Sequence, residues 1–166
     1  MTVATLVRPT GASLALAASL ALAACGSADP TPGRGTESPG AGPNRDEDTM
    51  QIGITIGDQR FTATLDDSAA AQDLLAQLPV TVDMVDHGGV EKTGPLPEPL
   101  SLEGQPEGAD PAVGDLGYYA PGNDLVLYYG DQSFHSGIVV LGRLDDDAAE
   151  RIAALGGPVT ATVEAR

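Results

Sequence analysis

Three residue types associated with hydrolysis lie close together late in the chain: Asp131, Ser133 and His135. A catalytic triad needs a serine, a histidine base and a carboxylate held in a defined mutual geometry. Because these three residues fall within five consecutive positions, one short segment is poorly suited to produce that geometry. The sequence also lacks the Gly-x-Ser-x-Gly turn that exposes the nucleophile of α/β hydrolases. The pattern therefore argues against a serine hydrolase.

Candidate metal ligands are equally sparse. The sequence has two histidines, His87 and His135, without a third partner at the spacing that zinc sites use. Asp83, Asp86 and Glu91 do not follow the spacing of a calcium-binding loop, and no glycine-rich phosphate-binding loop is present. We therefore expect no metal and no cofactor.

Four tyrosines form two adjacent pairs, Tyr118–Tyr119 and Tyr128–Tyr129. Neighbouring residues of a β-strand point to opposite faces, so one member of each pair can be buried while the other faces outward. The pairs fit core packing with hydroxyl groups at the rim. They also fit an aromatic platform for a peptide or a small ligand.

The segment from Met50 to Arg166 has the patterns of a strand-rich domain. Alternating apolar residues on both sides of Gly57-Asp58 predict an opening β-hairpin, 51–56 and 60–65. The remaining patterns predict strands over 80–85, 115–119, 125–129, 137–144 and 158–163, and helices over 69–78 and 148–155. Residues 87–111, rich in Gly, Pro and acidic residues, predict an irregular loop pinned to the surface by its leucines. Since the two helices are short and do not alternate regularly with strands, a mainly β, closed barrel fits better than a doubly wound sheet.

Three stretches carry a family resemblance: Gly-Asp-Leu-Gly-Tyr-Tyr-Ala-Pro at 114–121, Leu-Val-Leu-Tyr-Tyr at 125–129 and Gly-Ile-Val-Val-Leu-Gly-Arg-Leu at 137–144. Together with the opening hairpin and the alanine-rich helix after it, they resemble the bacterial cyclophilin-like domain family. The resemblance covers Met50 to about Val163. It implies a small closed β-barrel of the cyclophilin type with two short helices, and it brings no firmly established activity.

Cyclophilins that isomerise prolyl bonds use an arginine, typically within Phe-His-Arg, to polarise the prolyl amide. Here Phe134-His135 is followed by Ser136, and Arg143 is the one arginine in a family-like motif. We therefore expect a non-enzymatic module that binds a peptide or a small ligand, with a peptidyl-prolyl isomerase as the alternative and an accessory subunit as a third possibility. No catalytic residue is assigned. The candidate ligand-binding residues are Tyr118, Tyr128, Phe134, His135 and Arg143.

The first 24 residues have the pattern of an export signal. Arg8 precedes an apolar stretch of 13 residues from Ala12 to Ala24, which is too short to span a membrane. The stretch ends in Leu-Ala-Ala-Cys, which resembles the lipobox of bacterial lipoproteins, and Cys25 is the only cysteine. Acyl chains such as palmitate on this cysteine would give stable anchoring. We expect residues 1–24 to be a signal peptide, and Cys25 to hold the protein on the extracytoplasmic face of the cell membrane.

Residues 25–49 are rich in Pro and Gly and lack large apolar side chains, so they are expected to form a disordered tether. The whole sequence carries 24 acidic and 8 basic residues, a net charge of −16. Such a field repels phosphate backbones, which argues against nucleic acid as a partner. It favours a cationic or a neutral ligand in the cell envelope.

Overall fold

The structure is a computed structural model that describes residues 50–166. The expected signal peptide (1–24), the expected tether (25–49) and Cys25 lie outside the described residues. No helix within residues 50–166 is both long and apolar enough to cross a membrane.

Within residues 50–166 the chain forms ten strands and two helices. In chain order they are β1 (Gln51–Ile56), β2 (Gln59–Leu65), α1 (Ala69–Gln77), β3 (Val80–His87), β4 (Glu91–Pro95), β5 (Gly108–Ala109), β6 (Asp115–Tyr119), β7 (Asp124–Tyr128), β8 (His135–Ser136), β9 (Ile138–Leu144), α2 (Ala148–Ala153) and β10 (Val159–Ala165).

Eight strands close into an antiparallel barrel in the order β1-β10-β3-β4-β7-β6-β9-β2, and β2 returns to β1. The remaining strands, β5 and β8, pair with each other as a two-stranded sheet. Closure leaves no unpaired edge in the main sheet. The mainly β, closed barrel with two short helices expected from the sequence is confirmed.

Alternation along the strands fills the barrel interior. Ile52, Ile54 and Ile56 of β1 are buried there, and the residues between them are not. Leu74 of α1 joins the same core. Ser68 caps the N-terminus of this helix, because its Oγ accepts a hydrogen bond from the backbone N–H of Ala71 at 3.2 Å.

One expectation is wrong. The segment 87–111 is not wholly irregular, because Glu91–Pro95 forms β4, a full member of the barrel, and Gly108–Ala109 forms β5. The sequence Glu-Lys-Thr-Gly-Pro has little intrinsic strand propensity, but ladders to both β3 and β7 satisfy its backbone. Of the leucines, Leu96 and Leu100 are buried while Leu102 is 52% exposed.

The outer face of the barrel carries a second, smaller apolar cluster. On β7, Leu125 and Leu127 belong to the interior core, whereas Val126 and Tyr128 form the second cluster with Ile138. The turn after β8 is tied down because Gly137 N–H donates to the carbonyl of Glu107 at 2.9 Å. This hydrogen bond joins the turn between β8 and β9 to the residue that precedes β5.

Candidate functional site

A cavity of ≈ 380 Å³ lies against the outer apolar cluster. We call it the outer cavity. Strands β3, β4, β6, β7 and β9 and the segment after β7 all contribute to it. Its lining residues are His87, Glu91, Thr93, Tyr119, Asp124, Tyr128, Gln132, Ser133, His135 and Ile138.

The pairing of β4 with β7 places side chains from both strands next to each other on the outer face of the barrel. In the β4–β7 ladder, Glu91 lies opposite Tyr128, and Thr93 lies opposite Val126. Directly opposed side chains in an antiparallel pair project from the same face, so Glu91 shares the outer face with Tyr128. The β3–β4 ladder places His87 opposite Glu91. The hairpin from β3 to β4 thus supplies an imidazole and a carboxylate side by side.

Aromatic rings form much of the wall. Tyr128 is only 1% exposed. The rings of Tyr119 and His135 lie 5.8 Å apart between centroids and are tilted by 48°. Gly117 of β6 lies beneath the Tyr128 ring, because a Cβ at this position would come within 2.6 Å of Tyr128 Cε2. The absence of a side chain there lets the ring lie close to the sheet.

Burial shapes the electrostatics of the outer cavity. The carboxyl of Glu91 is buried, and this burial is the main reason that its pKa is raised, with Asp124 adding to the rise. A hydrogen bond with Gln132 and the nearby His87 and His135 lower the pKa of Glu91 in part. Burial also raises the pKa of Asp124. Burial, followed by the Glu91 charge, raises the pKa of the Tyr128 hydroxyl. Each of these shifts reports a site in which negative charge is poorly solvated.

Among the candidate residues from the sequence, Tyr128 and His135 line the outer cavity. Tyr118 lies inside the barrel, where its hydroxyl donates to Asn123 Oδ1 at 2.9 Å and accepts from the backbone N–H of Leu100 at 3.3 Å. The hydrogen bond from Leu100 attaches the segment after β4 to the Tyr118 side chain inside the barrel. Phe134 is 60% exposed and is not among the lining residues.

Arg143 lies elsewhere. Its guanidinium Nη1 is 2.7 Å from Asp115 Oδ1, and Nη2 donates to the carbonyl of Val113 at 3.0 Å. It lines a separate, wider cavity of ≈ 800 Å³ whose other residues include three consecutive acidic residues, 145–147. The structure therefore brings two of the five candidates, Tyr128 and His135, into one site and places Tyr118, Phe134 and Arg143 outside it.

Local sequence patterns did not indicate the two carboxylates of the outer cavity, Glu91 and Asp124, as ligand-binding residues. Glu91 fell in a segment that was predicted to be a loop, so nothing indicated that it would face Tyr128. Asp124 lies one residue before the predicted strand 125–129, whereas in the structure it is the first residue of β7. The useful signal was the alternation of Tyr128 with its neighbours, which predicted an outward tyrosine but not its partners.

Metal binding has no geometric support in the part of the chain that the structure describes. No group of three or more histidine, cysteine or acidic side chains within residues 50–166 is arranged to hold a metal ion. What the outer cavity offers is an apolar floor, aromatic walls and two carboxylates. Such a site can hold an organic group by contact and by charge.

Comparisons with known proteins agree with the barrel. A family model described as the cyclophilin-like family matches residues 54–164. Among solved structures, the solution structure of a hypothetical protein from Archaeoglobus fulgidus is similar, with a TM-score of 0.54 and 16% identity over 71% of this chain and 95% of that one. At that identity the likeness concerns the fold alone. No curated protein matches the chain.

Proposed function

The chain belongs to the cyclophilin-like family, and we propose that it is an exported, lipid-anchored protein whose barrel binds a peptide or a small molecule in the outer cavity. The proposal joins two independent features. One is the expected signal peptide, residues 1–24, which directly precedes Cys25, and the other is the cavity beside β4 and β7.

The observation that carries the binding role is the build of the outer cavity. Its volume of ≈ 380 Å³ lies within the range of roughly 300–1,000 Å³ typical of small-ligand sites. Tyr128 and Ile138 supply a buried apolar floor, while Glu91 and Gln132 supply polar groups at fixed positions. Binding sites commonly combine an apolar surface with a few such polar groups, which set the orientation of the ligand.

Binding is better supported than prolyl isomerisation. Rotation about a prolyl amide is accelerated by a donor aimed at the twisted amide, because that donor must stabilise the transition state more than the ground state. Within residues 50–166, the lining of the outer cavity includes no arginine. Arg143 is held by Asp115 at another cavity. A prolyl isomerase thus remains the weaker alternative.

The binding role is tested by calorimetric titration of the detergent-solubilised full chain with short neutral and cationic peptides. His135→Ala removes one exposed wall of the outer cavity, so it should weaken binding by about tenfold, or about 1.4 kcal/mol. Leu102→Ala is the matched control, because Leu102 is exposed and does not line the cavity. Equal loss in both variants, or no binding by any peptide, would refute a role for this cavity.

The anchoring role rests on Arg8, the apolar stretch and the lipobox-like sequence before Cys25. In cells fed labelled palmitate, the wild-type protein should carry the label and partition into the detergent phase of a two-phase extraction. Cys25→Ala should lose the label and move to the aqueous phase, and Ser27→Ala should behave as wild type. A Cys25→Ala protein that stays labelled and in the detergent phase would contradict the proposal.

A further inference from the structure

We infer that the outer cavity selects ligands that carry an organic cation, an ammonium or a guanidinium group, placed against Glu91 while the apolar part of the ligand lies on Tyr128 and Ile138. The inference rests on the proposed binding function and narrows it to one chemical class. It comes from the charge that the cavity leaves without a counterion.

Glu91 is the central group. Its side chain lies on the wall of the outer cavity, yet the residue is only 9% exposed. Within residues 50–166 the three ion pairs use the carboxylates of Asp86, Asp115 and Asp147, and none uses Glu91. Gln132 provides a hydrogen bond but no charge. A buried carboxylate is normally paired, so a cationic ligand would supply the missing partner.

Lys92, the neighbouring cation in the sequence, does not act as the counterion of Glu91. Lys92 follows Glu91 on β4, but alternation along the strand turns its side chain to the other face of the sheet. There Lys92 Nζ lies 2.8 Å from Asp86 Oδ1 and donates to the carbonyl of Gly157 at 3.1 Å. The ammonium group of Lys92 therefore binds its partners on the inner side of the sheet, and Glu91 remains without a counterion on the outer side.

A second carboxylate strengthens the field. Asp124 lines the same cavity and lies four residues before Tyr128 on β7. At about 3.4 Å per residue, the two backbone positions are roughly 14 Å apart. Since Tyr128 is opposite Glu91, the two carboxylates stand toward opposite ends of an apolar floor. A ligand with an apolar body and a positive head matches this arrangement.

The titratable groups around Glu91 do not cancel its charge. His87 faces it from β3, and His135 faces it from β8, but neither forms an ion pair with it in the described part of the chain. No lysine or arginine within residues 50–166 lines the cavity. The rings of Tyr119 and Tyr128 add faces that attract cations.

The test uses two acetylated and amidated tripeptides, Ala-Lys-Ala and Ala-norleucine-Ala, which differ mainly in the terminal ammonium. The detergent-solubilised full chain is titrated with each peptide and with butylammonium by calorimetry. We expect the lysine peptide to bind at least tenfold more tightly than the norleucine peptide. Glu91→Gln should abolish this preference, and Glu103→Gln, a change at an exposed glutamate outside the lining of the cavity, should preserve it.

The outcomes separate the two proposals. Equal binding of the lysine and norleucine peptides would overturn the cation inference and leave the binding function standing. Binding by none of the three probes would overturn both. Butylammonium binding as tightly as the lysine peptide would support the inference and indicate a free amine, whereas binding of the lysine peptide alone would support it and indicate a peptide. If Glu91→Gln does not fold, Asp124→Asn should reduce the preference, and an unchanged preference would count against the inference.

Discussion

The Nζ of Lys92 lies 2.8 Å from Oδ1 of Asp86, and the lysine side chain is fully buried while the aspartate side chain is 33% exposed. The hydroxyl of Tyr129 donates to the same Asp86 oxygen at 2.7 Å. Because Lys92 also reaches the carbonyl of Gly157, this network joins β3, β4, the residue after β7 and the turn before β10. The barrel thus encloses a cation that depends on one partly exposed carboxylate.

Asp86→Asn should lower the free energy of unfolding by about 3 kcal/mol, because it leaves the buried Lys92 cation without its counterion. Adding Lys92→Met to this variant should restore part of the loss, since the charge that needs compensation is then gone. Urea denaturation measures both effects, with the exposed Asp110→Asn as control. A double variant that is less stable than Asp86→Asn alone would show that the cation does not cause the loss.

The same ion pair has a defined pH dependence. The hydrogen bond from Lys92 is the main reason that the pKa of Asp86 is lowered in the folded protein, and Tyr129 contributes. A carboxyl with a lowered folded pKa stabilises the fold above its unfolded pKa of about 3.9, and this contribution is lost as the pH falls through the folded value. The advantage of wild type over Asp86→Asn should therefore begin to shrink as the pH falls below about 4. Urea midpoints at pH 6 and pH 3 test this, and a constant difference would contradict it.

Glu91 should show the opposite behaviour. Burial raises its folded pKa, so folding favours the protonated carboxyl, and stability is lost as the pH rises from the unfolded pKa of about 4.3 through the folded value. Glu91→Gln should therefore increase the free energy of unfolding by about 1 kcal/mol at pH 8 and change it little at pH 4. Urea denaturation at the two pH values measures this, with Glu103→Gln as control. A variant less stable than wild type at pH 8 would show that ionised Glu91 is well compensated.

The sequence predicted most of the barrel because alternation is strong where strands contribute to the core, as in Ile52 to Ile56. It also predicted that adjacent tyrosines would face opposite ways, and Tyr118 does lie inside while Tyr119 lines the outer cavity. It failed at β4, where Glu91 and Lys92 are charged residues buried on opposite faces. Such a strand is specified by its ladders and by the ion pair that the buried Lys92 forms with Asp86, and neither is visible in local patterning.

For that reason the outer cavity could be predicted only in part. An outward tyrosine on β7 followed from the alternation, but its partner on β4 depended on a pairing of distant strands. The choice of Arg143 rested on a motif at a strand end, whereas the structure shows its guanidinium bound to Asp115. Local sequence thus indicated residue types, and the register decided which of them meet.

Gly117→Ala should displace the Tyr128 ring, which forms part of the outer cavity, because Gly117 lies directly beneath that ring. The new methyl group would press against Tyr128 Cε2, and either the ring or the strand must shift. Such overpacking should lower the free energy of unfolding by about 1–3 kcal/mol. It should also weaken any ligand that rests on the Tyr128 ring. Urea denaturation and calorimetric titration measure the two effects.

Gly156→Ala is the matched control, because a Cβ there meets no atom within 4 Å. It makes the same chemical change on the surface and should leave stability and binding near wild type. If Gly117→Ala were as stable as the control and bound ligand equally well, the close packing of Tyr128 on β6 would not matter to the site.

Prolyl isomerase activity should be weak or absent. Uncatalysed isomerisation takes tens of seconds at 25 °C, so even modest catalysis is visible in a peptide assay. The described part of the chain offers no arginine at the outer cavity, and the Arg143 guanidinium is held by Asp115 and by the carbonyl of Val113. Without a positioned donor, an apolar site binds the ground state and the twisted transition state nearly equally, and the rate does not rise.

Acceleration that disappears in Arg143→Ala but persists in Arg60→Ala, a change at an exposed arginine, would overturn this prediction and make the isomerase the better assignment. Peptide binding without acceleration would favour the binding module, and the absence of both would favour an accessory role for the barrel.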